Sequence, residues 1–88
     1  MQLVNIGFGN LINAEKIVSI ISNDSAPAKR IIQESRNLGL LVDATQGRKT
    51  KSVLIMDSNH VVLSYLNPVS IGERMSKDEL VFTEDKDE

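Results

Sequence analysis

The sequence has no cysteine, no tryptophan and a single histidine, His60. Without cysteine there is neither a disulfide framework nor a thiolate metal site, so ordinary packing must stabilise the fold. Aromatic residues are scarce too. Phe8, Tyr65 and Phe82 are the whole set, and none is interleaved with the basic residues. Stacking of splayed bases, the usual route to single-stranded nucleic acid, therefore lacks its platform. No apolar run approaches the ~20 residues of a membrane span. Met1–Lys16 places no basic segment ahead of an apolar stretch, so no secretory leader is expected. These absences point to a cytoplasmic protein with no membrane partner.

The inventory for catalysis is equally thin. His60 falls in a turn with Asp57 and Ser58, and no second ligand is spaced to help it hold a metal. The carboxylates Glu34, Asp43 and Asp57 lie on separate elements. Gly7-Phe8-Gly9 lacks the third glycine and the following helix of a dinucleotide-binding turn; a glycine-dependent bend, at a subunit contact, is the better reading. No enzyme, cofactor, metal or small-molecule substrate is expected.

What is present describes one small folded domain. Eighty-eight residues make a single core, and 41% hydrophobic with 25% charged residues is the balance of a globular protein. Gln2–Ile6, Leu11-Ile12 and Ile17–Ile21 read as extended segments. Ser25 caps a helix with Pro27 in its first turn, Ala28, Ile31, Ile32, Ser35 and Leu38 form its buried stripe, and Gly39 ends it. Leu40–Asp43 is a short strand. Val53–Met56 and Val61–Leu66 form a hairpin, and Val69–Met75 a second short helix. The fold class is α/β (α+β): one domain over residues 1–76, a mixed, mostly antiparallel sheet and two helices. Residues 77–88 form an acidic tail expected to be flexible, although Leu80, Val81 and Phe82 could dock.

Two features carry the functional expectation. Val53–Met56 and Val61–Leu63 are apolar in succession, the pattern of strands buried on both faces. One modest helix and one short helix leave too little to cover two faces, so a second copy of the chain is the expected cover; the alternative is that both helices together with the N-terminal strands suffice. Charge is also divided. The formal net charge is −2, yet Glu73–Glu88 alone carries −4, and Lys29–Lys51 holds six bases against two acids. Within that window Gly47-Arg48-Lys49-Thr50-Lys51 concentrates three cations on a turn, with Thr50 as a neutral donor, where they can converge on phosphate oxygens. Lys29, Arg30 and Arg36 could extend that surface, as could Lys16. Duplex DNA, held by its backbone, is the expected partner. Three cations bind weakly alone; repetition around an oligomer raises the effective concentration. The competing reading is an oligomeric scaffold whose basic loop holds a partner protein or a small anion. A duplex binder loses affinity steeply with salt, whereas an anion site saturates at one ligand per subunit.

NIGFGN (Asn5–Asn10), SAPAKRIIQ (Ser25–Gln33), DATQGRKTKSVLIMD (Asp43–Asp57) and HVVLSYLNP (His60–Pro68), in this order, closely resemble the RemA family of extracellular matrix regulatory proteins, over residues 3 to 76. The resemblance implies a DNA-binding transcription regulator, an activator of biofilm matrix genes, assembled as a ring-shaped homo-oligomer with DNA along its basic rim. It implies DNA contacts by Lys16, Arg48 and Lys49. The family has arginine more often at the positions of Lys16 and Lys49, so here charge is kept and the planar fork is lost. Gln46 replaces a frequent aromatic.

Overall fold

The structure is a computed structural model that describes residues 2–76; the acidic segment 77–88, with Leu80, Val81 and Phe82, lies outside the described residues. The described residues fold as a small α+β domain of six strands and two helices. β1 (Leu3–Asn5) and β2 (Leu11–Asn13) form a separate antiparallel hairpin. A single 3-10 turn, Ala14–Lys16, leads into β3 (Ile17–Ser22). Helix α1 (Ala26–Asn37) connects β3 to β4 (Leu41–Asp43). β5 (Ser52–Met56), β6 (Val61–Ser64) and α2 (Pro68–Met75) follow. The main sheet has the order β3-β5-β6-β4, antiparallel except where β4 lies parallel to β6.

The strand pattern that calls for cover on both faces is satisfied within one chain. Val53, Val61 and Leu63 face α1, packing with Ala28, Ile21, Ile31, Ile32 and Leu41. Leu54 and Val62 face the other way, into a core with Val4, Ile6, Ala14, Tyr65, Leu66 and Ile71. That second cover comes from the N-terminal hairpin together with α2. Alternation along the strands sends Val53 and Leu54 to opposite faces, and each is fully buried. Burying a side chain of this size contributes roughly 1.5–3 kcal/mol. The consecutive apolar residues therefore mark a three-layer domain and do not themselves require a second copy.

Local chemistry explains the element ends. Pro27 occupies the first turn of α1, and Ser25 is its N-cap by backbone, with its hydroxyl donating to the Ser22 carbonyl at 2.8 Å. Asn67 caps α2 by accepting from the Ser70 amide at 2.8 Å, with Pro68 opening the helix. Leu38 departs from the expected stripe. It is the C-cap, one residue beyond the helix, and is 72% exposed. The chain reverses at Gly39 (φ +73°), directly after Leu38. The register of β3 on β5 slips between Ile17 and Ser19, and Val18, between them, is 66% exposed on the sheet edge.

Candidate nucleic-acid interface

The basic loop is built by a turn whose backbone angles fix where its cations point. Asp43 at the end of β4 accepts from both the amide and the hydroxyl of Thr45, at 2.9 and 2.6 Å. Those hydrogen bonds, chiefly the one from the Thr45 hydroxyl, hold the Asp43 carboxyl below the usual carboxylate range; the field of Arg36 adds to the effect and partial desolvation opposes it. Thr45 then begins a tight turn. Gln46 and Gly47 have φ of +54° and +81°, and the Arg48 amide donates back to the Thr45 carbonyl at 2.9 Å. Two successive positive φ values inside such a turn are the signature of type I′. A β-carbon on Gly47 would meet nothing within 4 Å, so glycine is favoured here by backbone conformation and not by space.

Past the turn, Arg48, Lys49 and Lys51 are exposed and Thr50 is half-buried. The Lys51 amide donates to the Ser64 carbonyl and the Lys51 carbonyl accepts from the Asn23 amide, which anchors the loop to the end of β6 and to the β3–α1 connection. Arg48, Lys49 and Lys51 surround a concavity of about 160 Å³, with Tyr65 as its fourth wall. On the other flank of the loop a concavity of about 220 Å³ is lined by Lys49, Thr50 and Lys51 together with Ser22, Asp24 and Asn67.

Tyr65 is the residue that the sequence does not bring forward. It lies fourteen positions beyond Lys51, yet antiparallel pairing of Ser52 with Ser64 sets the end of β6 beside the start of β5. Its ring packs against Phe8, centroids 4.7 Å apart, at the tip of the N-terminal hairpin. Gly7, Phe8 and Gly9 all have positive φ there, so the expected glycine-dependent bend is this tip. An aromatic residue thus stands within the basic cluster. Being 5% exposed, it offers a wall and not a stacking surface.

The remaining cations are placed differently. Lys16 precedes Ile17, which pairs with Met56, whereas Ser22 and Ser52 pair at the loop end. Five strand steps separate the two ends, on the order of 17 Å. Within the chain the fold does not bring Lys16 to the loop. Its ammonium instead lies 3.7 Å from the Asp57 carboxylate, and the Asp57 amide donates to the Lys16 carbonyl at 2.8 Å. Lys29, Arg30 and Arg36 are exposed on α1, and neither they nor Lys16 lines either concavity. His60 is exposed at the β5–β6 turn, where its Nδ1 and the Ser58 hydroxyl are 2.8 Å apart. Among the described residues no group of three or more His, Asp or Glu side chains could hold a metal ion, and no helix is long and apolar enough to cross a membrane.

The geometry is accompanied by clear relatives. A protein of Clostridium perfringens named "Putative regulatory protein" is 52% identical over 85 residues, covering 97% of this chain and 96% of its own. One of the same description from Clostridium botulinum is 54% identical over 82 residues, and one from Bacillus pumilus 51% identical over 82, each covering 92% of both chains. The model of the RemA-like family, described as extracellular matrix regulatory protein A-like, matches residues 3–75. With its fold complete over that same span, the chain belongs to the RemA-like family.

Proposed function

We propose that this protein is a transcription regulator, not an enzyme, that binds duplex DNA mainly through the phosphate backbone. The regulatory names of its relatives support the regulatory part of that reading. The observation that carries the DNA part is the loop itself: a type I′ turn anchored at both ends presents Arg48, Lys49 and Lys51 around one concavity. Phosphate oxygens are the ligand that such converging cations favour, with Arg48 making forked contacts and Thr50 adding a neutral donor. Lys16 meets a separate stretch of the duplex; 17 Å is about five base pairs at 3.4 Å each. Lys29, Arg30 and Arg36 contribute only diffuse attraction.

The subunit acts as a closed homo-oligomer, a ring in the nucleoid, that organises promoter DNA and activates matrix genes. Support for self-association comes from the edges of the sheet, not its faces. Among the described residues β3 and β4 each pair on one side only, and Val18 and Val42 are exposed on them. Unpaired edges with apolar residues are sites of strand addition. The test is a mobility shift with random and promoter duplexes across salt concentrations. Arg48→Ala is expected to lower affinity at least tenfold and flatten the salt slope by about one unit, with fold and assembly unchanged. Undiminished affinity would remove the loop from the interface.

A further inference from the structure

The two concavities flanking the loop share Lys49 and Lys51 and differ in every other wall. Both are small. At about 160 and 220 Å³ they fall below the 300–1,000 Å³ typical of pockets that enclose a whole small-molecule ligand, yet each has room for a phosphate-sized group. The first offers a guanidinium, two ammonium groups and a tyrosine. The second offers the same two ammonium groups with the hydroxyls of Ser22 and Thr50 and the amide of Asn67. Asn67 uses its carbonyl oxygen to accept from the Ser70 amide, which leaves its NH₂ as the donor toward an anion.

We propose that the adjoining concavities form a seat for a compact anion with two directly linked phosphates, and that its occupant competes with DNA. The ligand class is inorganic pyrophosphate or the diphosphate tail of a nucleotide. A single phosphate reaches the walls of only one concavity at a time. Two linked phosphates occupy both, bridging Lys49 and Lys51, with Arg48 at one end and Thr50 at the other. Asp24 is the one acid among the described residues of these walls and opposes the second negative charge. This inference rests on reading the loop as an anion-binding surface, and it adds a small ligand that regulates DNA binding at the same cations.

The test uses the full chain without DNA, titrated with inorganic pyrophosphate, inorganic phosphate and ADP at matched ionic strength, followed by calorimetry and backbone amide NMR. Pyrophosphate is expected to bind at least tenfold tighter than phosphate, with shifts at both Tyr65 and Asn67. ADP equal to pyrophosphate assigns recognition to the phosphates alone; ADP tighter adds contact with the nucleoside. Asp24→Asn is expected to strengthen pyrophosphate binding several-fold with little change for phosphate. Equal affinities for phosphate and pyrophosphate, or shifts confined to one wall, overturn the proposal. Saturating pyrophosphate is expected to release bound duplex. If duplex binds and pyrophosphate does not, the seat is refuted and the DNA reading stands. If pyrophosphate binds and duplex does not, the DNA reading and the competition are refuted and the anion seat alone stands.

Discussion

The Ser64 hydroxyl donates a 2.7 Å hydrogen bond to the Ile6 carbonyl, joining the main sheet to the N-terminal hairpin across 58 positions of sequence. The same hydroxyl accepts from the Leu66 amide at 3.1 Å, and Ser52, its register partner, donates to the Leu66 carbonyl. Both serines are fully buried. This polar pair fixes the chain around Tyr65, so the wall of the basic concavity depends on it.

Ser64→Ala leaves the Ile6 carbonyl and the Leu66 amide without that partner in a dry site. The expected cost is about 1–3 kcal/mol in urea unfolding. A change below ~0.5 kcal/mol would show that this hydrogen bond contributes little to docking the hairpin.

Acid sensitivity is expected from Asp43. Its carboxyl is held below the usual range in the folded chain, so the unfolded chain takes up the proton first as pH falls. The stabilisation is complete above the unfolded value, near pH 4, and is lost as pH drops through the lower folded value. Unfolding midpoints measured from pH 6 to 2 are expected to fall less steeply for Asp43→Asn than for the unsubstituted protein. Parallel curves would exclude Asp43 from the acid response.

Asp57 is expected to restrain Lys16. Both side chains are more than half exposed, and exposed pairs contribute at most ~1 kcal/mol, which is about fivefold in affinity. Asp57→Asn is therefore expected to raise duplex affinity by up to that factor in low-salt fluorescence anisotropy. The gain is expected to vanish in a Lys16→Gln background. A gain that survives there would assign the effect to net charge.

Leu38→Gln is expected to change subunit stability by less than ~0.5 kcal/mol, because the side chain is already in solvent. Leu54→Ala, by contrast, opens a cavity in the core and is expected to cost about 2–5 kcal/mol. Chemical denaturation of both variants measures the difference. A large loss for Leu38→Gln would reveal a contact made by this residue outside the single subunit.

Sequence alone determined what depends on near neighbours. Pro27 marks a helix start because its missing amide hydrogen costs nothing in the first turn. Gly47 and the three cations after it identify a basic turn, and the ordered motifs identify the family over the span its model matches. Tertiary structure decided what depends on register and layering. It set Tyr65 beside Lys51, sent Lys16 to the far end of β3, and covered the second face of the sheet with a hairpin and α2. The physical reason is that antiparallel pairing converts distance along the chain into position along a strand. A run of apolar residues reports that both faces are buried, but not which segment buries them.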